Sequence, residues 1–118
     1  MALAAVVSSH FPYLPIRLTI GQGSFEGEAL VDTGFDDELA IQHEKIVNGD
    51  PPDEYRTFQL ADGSRVVAAI YYGTVQIGNL PPVSADIATV GDEPLLGRRV
   101  TDHYRLTFDH GRSLTVEP

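Results

Sequence analysis

Length, composition and charge restrict what this chain can be. Its 118 residues are typical of one domain that buries a hydrophobic core without covalent cross-links, and we expect residues 1–118 to form a single domain. The absence of cysteine excludes disulfides, thiolate metal ligands and a cysteine nucleophile. Seventeen acidic and eight basic residues give a net charge of −9, which argues against nucleic acid or a membrane as a partner. No apolar run reaches the roughly 18 residues of a membrane-spanning helix, and residues 1–9 lack the basic start of a signal peptide, so we expect a cytoplasmic protein.

The first half of the chain has the pattern of short β-strands separated by turns. Apolar and polar residues alternate over 16–20, a glycine-containing turn follows at 21–23, and residues 25–31 complete a hairpin. A short strand is predicted at 39–41. The composition of 48–53 is typical of a loop.

The second half predicts three further hairpins and one helix. The clearest hairpin turns at Asp62-Gly63, one of the strongest two-residue turn signals. The predicted strand pairs are 57–60 with 65–68, 71–77 with 83–90, and 104–108 with 113–116, and the helix covers 97–104. This order of elements predicts an all-β, barrel-like domain with one short helix.

The tripeptide Asp32-Thr33-Gly34 is the candidate for chemistry. It directly follows the apolar residues 29–31, so its carboxylate stands where an extended strand breaks into a turn. A poorly solvated carboxylate is stabilised when a second carboxylate shares its proton, which is the acid–base arrangement of aspartic peptidases. The alternative interpretation is an Asx-turn residue at the end of a strand.

Three segments, in the same order along the chain, resemble the retropepsin-like (retroviral-type) aspartic peptidases. They are residues 29–37 around the tripeptide, the hairpin tip at 60–64, and Pro94-Leu95-Leu96-Gly97-Arg98 at the start of the predicted helix. The resemblance runs from residue 16 to residue 116. It implies a single-lobed acid-protease fold, which is a closed barrel with a β-hairpin flap and one short C-terminal helix.

The resemblance implies an active site built from two copies of the chain. Asp32 of each copy shares a proton with the other, and one carboxylate activates a water while the other protonates the scissile carbonyl oxygen. Thr33 hydrogen-bonds across the pair, and Gly34 offers its N–H to a carboxylate oxygen. Because the sequence contains one such tripeptide, activity requires a homodimer. The reaction needs no metal and no cofactor, and the expected substrate is a peptide or an unfolded protein.

The resemblance also assigns supporting and substrate-contacting residues. Asp36 is expected to pair with Arg98 and so to tie the site loop to the helix. Phe35 stands where the viral enzymes mostly have alanine, and its ring is expected to narrow the cleft. The C-terminal hairpin is the expected dimer interface, with help from residues 1–15 as an N-terminal extension or interface strand. The residues expected to close over a bound peptide are those of the flap tip: Leu60, Ala61, Asp62, Gly63 and Ser64.

Other residues and the whole chain have simpler interpretations. Asp37 and Glu38 are interpreted as part of a solvated acidic face. His103 and His110 lack metal-ligand spacing, so no metal site is predicted there. The alternative function is a catalytically weak or inactive peptide-binding module on the same fold. A third is a small acidic interaction protein in which the tripeptide is accidental.

Overall fold

Ten β-strands and one short α-helix form the part of the chain that the computed structural model describes, residues 5–45 and 50–118. None of the helices in these two segments has the length and apolar character needed to traverse a bilayer. In chain order the elements are β1 (Val6–Val7), β2 (Tyr13–Ile20), β3 (Gly23–Val31), β4 (Leu39–Ala40), a 3-10 turn (His43–Lys45), β5 (Glu54–Gln59), β6 (Arg65–Ile77), β7 (Val83–Ala88), β8 (Leu95–Leu96), α1 (Arg98–Thr101), β9 (Arg105–Asp109) and β10 (Ser113–Glu117).

Six of the strands close into a barrel. Their order is β2, β3, β8, β4, β7 and β6, and β6 pairs back onto β2. The β3–β8 and β4–β7 pairs are parallel, and the other neighbouring pairs are antiparallel. The strand β5 extends the sheet beyond β6, so that the two form a hairpin projecting from the barrel. The predicted all-β fold, a closed barrel with one short α-helix, is confirmed.

The barrel wall follows from the alternation of apolar residues along its strands. In β2 the side chains of Leu14, Ile16, Leu18 and Ile20 are buried, and the residues between them are exposed. Burying each such side chain contributes about 1.5–3 kcal/mol. A slip of one residue would turn this whole row to solvent, so the alternation sets the register of β2.

A second, three-stranded sheet brings the two ends of the chain together. The strand β10 lies between β1 and β9, and all pairs in this sheet are antiparallel. Val6, Leu114 and Val116 are buried against the core, whereas Val7 and Phe108 remain exposed on the outer strands. The segment 1–15 therefore has two structural parts within its described residues, since β1 joins this sheet and Tyr13 already begins the barrel strand β2.

The structure differs from the sequence prediction in two regions. The predicted strands 65–68 and 71–77 are one continuous strand, β6, in which Ile70 and Tyr71 are both buried because the strand changes the face it buries as it leaves the barrel. The helix is limited to α1, and the residues just before it form β8, a strand that is not predicted from the sequence. Residues 50–53 are a loop as predicted, and the rest of the predicted loop 48–53 lies outside the described residues.

The seam between β2 and β6 requires a glycine. At Gly73 a Cβ atom would lie 2.2 Å from the carbonyl oxygen of Thr19 and 3.2 Å from side-chain atoms of Ile20 and Ile87. Thr19 pairs with Thr74 in the register that closes the barrel. The two strands therefore approach each other more closely than any side chain at position 73 would permit.

Replacing Gly73 with alanine should lower the free energy of unfolding by about 3 kcal/mol, because the methyl group would overlap a backbone oxygen that cannot rotate away. Urea denaturation followed by circular dichroism, at one fixed protein concentration, measures the loss. The matched control is Gly111→Ala, whose Cβ would meet open space and whose φ of 70° predicts a loss of only about 1 kcal/mol. Equal losses for the two variants would contradict a clash at the seam.

Candidate active site

Asp32 lies where β3 ends and the chain turns away from the barrel. Its backbone N–H donates to the carbonyl oxygen of Leu96 at 3.0 Å, and its carbonyl accepts from the N–H of Phe35 at 3.2 Å. The carboxylate oxygen Oδ1 accepts the N–H of Gly34 at 2.9 Å. A backbone donor thus holds the half-buried carboxylate over its own loop, and its other oxygen, Oδ2, accepts no hydrogen bond from the described residues.

The start of α1 is attached to this loop through backbone groups. The N–H of Gly97 donates to the carbonyl of Glu38 at 2.8 Å, that of Arg98 to Phe35 at 2.9 Å, and that of Arg99 to Asp37 at 3.2 Å. A Cβ at Gly97 would lie 2.1 Å from the carbonyl oxygen of Asp37, so the approach depends on glycine. These bonds and the β3–β8 pairing hold residues 32–38, which we call the site loop, from two sides.

The predicted ion pair between Asp36 and Arg98 is not formed, and this expectation is wrong. Both residues are exposed, and within the described chain neither side chain makes an ion pair or a hydrogen bond. The link between loop and helix exists, but the backbone N–H of Arg98 and the carbonyl of Phe35 make it. Asp36 instead stands at the edge of the cleft with its carboxylate open to solvent.

Asp37, interpreted from the sequence as a solvated residue, is an ion-pair partner with a side chain only 13% exposed. Its Oδ2 accepts from Nη1 of Arg56 on β5 at 2.9 Å. Nη2 of the same guanidinium donates to Oδ2 of Asp86 on β7 at 3.0 Å and lies 3.2 Å from Oε1 of Glu54. These carboxylates, with Asp86 acting most strongly, raise the pKa of Arg56 above its ordinary value.

Glu38 is half-buried beside this cluster and is likewise not a simple solvated residue. Burial raises the pKa of its carboxyl above the ordinary value, and the negative charges of Asp86 and Asp37 act in the same direction. A hydrogen bond from the backbone of Asp86 and the charge of Arg99 oppose this shift. Glu38 therefore takes up a proton more readily than a free glutamate, and this limits the negative charge of the loop to which it belongs.

The tip of the β5–β6 hairpin is a self-contained turn, and we call residues 60–64 the flap tip. The N–H of Leu60 donates to the carbonyl of Ser64 at 2.7 Å, and the N–H of Gly63 donates back to Leu60 at 2.9 Å. Oδ1 of Asp62 accepts from both the hydroxyl and the N–H of Ser64, at 2.5 and 2.9 Å, which lowers the pKa of Asp62. All five residues are exposed. Asp62 and Gly63 thus build the turn, as predicted.

A cleft of about 740 Å³ lies between this hairpin and the loop of Asp32. The rings of Phe35 on the loop and Phe58 on the hairpin both line it, with centroids 6.2 Å apart and planes inclined by 43°. Thr33, Asp62, Gly63, Ser64 and Arg98 are not part of its wall. The residues predicted from the sequence that do line it are Asp32, Gly34, Phe35, Asp36, Leu60 and Ala61.

The cleft wall also includes residues that are not predicted from the sequence, chiefly Asp37, Arg56 and Phe58. One signal for them was present. Side chains of a strand alternate between its two faces, so the spacing of Arg56 and Phe58 in the sequence predicts that they share one face, and their burial in Glu54–Gln59 agrees. A lone cation sharing a face with an aromatic ring in a hairpin strand indicates an inward-facing charge that needs partners.

Comparisons with known proteins give a match at the level of structure. No protein-family model and no curated protein matches this sequence. Among solved structures, the chain is similar to the crystal structure of a retropepsin-like aspartic protease from Rickettsia conorii, with a TM-score of 0.58 and 16% sequence identity, over 96% of this chain and 88% of that one. The protein therefore has a retropepsin-like fold, with Asp32 at the cleft between the barrel and its hairpin.

Proposed function

We propose that this protein is an aspartic endopeptidase that hydrolyses peptide bonds with a water activated between the Asp32 carboxylates of a homodimer. The observation that carries the proposal is the position of Asp32. It ends a barrel strand of a retropepsin-like fold, beneath a hairpin, and lines a cleft large enough for a peptide segment. Its Oδ1 is oriented by the N–H of Gly34, as a carboxylate that must keep one geometry requires.

The proposed reaction needs only two carboxylates and one shared proton. Like charges roughly 3 Å apart cannot both ionise, so one Asp32 is protonated and the other is not. The ionised carboxylate takes a proton from water as the water oxygen attacks the carbonyl carbon, and the protonated one donates to the carbonyl oxygen. The carboxylate that took up the water proton then donates it to the amide nitrogen, while the other carboxylate takes a proton from a hydroxyl of the tetrahedral intermediate. The C–N bond breaks, a carboxylic acid and an amine leave, and the pair again holds one proton.

Thr33 supports a site shared between two copies. It is exposed beside Asp32, and its hydroxyl has no hydrogen-bond partner within the described residues of the chain. In the proposed dimer this hydroxyl binds the backbone of the opposing loop and holds the two carboxylates in one plane. The substrate extends as a strand between the loop and the flap tip, where Leu60 is 41% exposed.

The three-stranded sheet supports a dimer interface near the chain ends. Its outer strands, β1 and β9, have free edges within the described chain, and Val7 and Phe108 are 58% and 49% exposed there. Free strand edges with exposed apolar side chains are typical of surfaces that pair with another chain. We place the interface of the proposed homodimer on this sheet.

A second candidate function is a peptide-binding module that hydrolyses little. Phe35 favours it, because its ring, close to that of Phe58, occupies part of the cleft next to the carboxylate. A peptide would still bind between the loop and the flap tip in such a protein, with the catalytic water displaced by the ring. Direct measurement of cleavage separates the two functions.

A cytoplasmic location and the absence of nucleic-acid or membrane partners stay predictions from composition.

Replacing Asp32 with asparagine should lower kcat/KM for peptide cleavage by at least about 10³-fold, because the pair loses both its shared proton and its base. Digestion of a diverse peptide library between pH 4 and 7, analysed by mass spectrometry, measures the effect. The control is Asp102→Asn, which changes an exposed carboxylate outside the cleft and should leave cleavage unchanged. Cleavage that persists undiminished in the Asp32 variant would assign the activity to another group.

Mixing subunits tests the shared site. With substrate in excess, a tenfold excess of Asp32→Asn chains should lower the activity of the wild-type chains by roughly 10-fold, because most wild-type subunits would then sit in dimers with one carboxylate. The same excess of Asp102→Asn chains should not lower it. Analytical ultracentrifugation at the assay concentration reports the dimer directly. Unchanged wild-type activity in the presence of exchanged Asp32→Asn subunits would mean that one chain suffices.

A further inference from the structure

Arg56 joins three separate parts of the molecule through one guanidinium group. It belongs to β5, the first strand of the hairpin, and it contacts Asp37 in the loop after β3 and Asp86 on the barrel strand β7, at 2.9 and 3.0 Å. The third partner, Glu54, lies on its own strand. Arg56 is four residues before Leu60, where the flap tip begins. It therefore lies on the hairpin, at the base of the flap tip.

The partner in the site loop is itself firmly held. The carbonyl of Asp37 accepts the N–H of Arg99, and its Oδ1 accepts the N–H of Glu38 at 2.9 Å. Asp37 belongs to the same segment whose backbone orients Asp32. Asp37 is thus fixed to the helix α1. Its ion pair with Arg56 therefore links the hairpin to the loop that carries Asp32, the proposed catalytic carboxylate, five positions earlier in the chain.

Burial and geometry make these ion pairs different from a surface pair. The side chain of Arg56 is 29% exposed and that of Asp37 13%, so solvent and salt screen their attraction only in part. Only a planar guanidinium can donate from Nη1 and Nη2 to carboxylates on two different elements in this way. The chain offers a natural comparison in Arg17, which pairs with Glu26 across β2 and β3 while both side chains are more than half exposed. Such a surface pair contributes little.

The flap tip has few other attachments to the rest of the molecule. The hydrogen bonds of residues 60–64 that the structure describes run within the flap tip and the adjoining strands. Between the hairpin and the site loop, the ion pair and the ring contact that the structure describes are those of Arg56 with Asp37 and of Phe58 with Phe35. The aromatic contact is loose, with centroids 6.2 Å apart and planes inclined by 43°. Of these two contacts, the ion pair between Arg56 and Asp37 is the one with a defined hydrogen-bond geometry.

We infer that Arg56 is a positioning residue, which sets the height of the flap over Asp32 by anchoring β5 to Asp37 and Asp86. The inference concerns the conformation of the hairpin, and it rests on the proposed function only in its effect on cleavage. Without Arg56 the hairpin keeps its internal pairing but samples a wider range of positions. Asp37 and Asp86 are then left without their cation near a half-buried wall of the cleft.

The position of the flap can be measured without any catalysis, because the natural chain has no cysteine. Spin labels on Ala61→Cys in the flap tip and His103→Cys just after α1 report the distance between the hairpin and the helix that holds the site loop. The labelled chain is diluted with unlabelled wild-type chain, so that distances within one subunit dominate. The distance distribution from pulsed electron paramagnetic resonance is then compared between arginine variants.

Arg56→Met should broaden this distribution at least about twofold, as expected for a segment released from its tertiary contacts. Arg56→Lys keeps the charge and should give an intermediate width, because a lysine reaches one carboxylate at a time. The matched control Arg17→Met removes the surface pair and should leave the width unchanged. Where Arg56→Met does not fold, Asp37→Asn takes its place and should broaden the distribution in the same way. A distribution that stays narrow in these variants, or that broadens equally in Arg17→Met, overturns the inference.

Peptide cleavage provides the second measurement. If the protein cleaves peptides, Arg56→Met should lower kcat/KM by about 10- to 100-fold, mainly through KM, with partial recovery in Arg56→Lys. An equal fall in kcat with unchanged KM would contradict positioning of the flap. If the wild-type chain cleaves no peptide, the proposed function fails, and the distance measurement alone still decides the role of Arg56.

Discussion

The structure of the site depends on the backbone contact between the loop of Asp32 and the chain that enters α1. Residues 97–99 donate three N–H groups to carbonyls of that loop, and Asp32 donates its own N–H to Leu96. These bonds join two parts of the chain that are about sixty residues apart in sequence. Buried backbone donors and acceptors must be paired, so the loop and the helix start satisfy each other and cannot move independently. The position of the Asp32 carboxylate follows from this contact.

The same contact explains why one side-chain expectation is wrong. Retropepsin-like resemblance predicts that Asp36 and Arg98 tie the loop to the helix, but both are exposed and unpaired within the described chain. The backbone already makes the connection, and Gly97 lets it approach to a distance that a Cβ would prevent. Side-chain charge is used elsewhere, at Arg56, because the described residues of the hairpin and the loop share no backbone hydrogen bond. Backbone hydrogen bonds thus fix the loop of Asp32 on one side of the cleft, and the ion pairs of Arg56 fix the hairpin on the other side.

Inside the cleft, one positive charge offsets part of the repulsion among acidic residues, which the overall net charge does not reveal. With a net charge of −9 the chain repels itself, and its cleft wall carries Asp32, Asp36 and Asp37. A single inward cation, Arg56, contacts three carboxylates on three segments and offsets part of this repulsion. The raised pKa of Glu38 acts in the same direction, because burial favours its neutral form. The site loop can therefore carry several acidic residues without being driven apart.

Much of the fold and the centre of the candidate site follow from local sequence patterns. Alternating apolar residues predict β2, β3 and the later hairpins, Asp62-Gly63 predicts the flap turn, and the position of Asp32 after an apolar strand predicts where its carboxylate lies. These features depend on a few adjacent residues, whose periodicity and turn preferences act before any tertiary contact forms.

The sequence by itself determined most of the strands, the hairpin turns and the candidate carboxylate. Only the tertiary structure decided which other parts of the chain those elements contact. The two-residue strand β8 exists because β3 and β4 lie on either side of it, and the role of Arg56 exists because Asp37 and Asp86 come from elements 19 and 30 residues away. No local pattern encodes such partners, since a strand of two residues or a single charge has no preference strong enough to form its contacts before the chain has closed into a barrel.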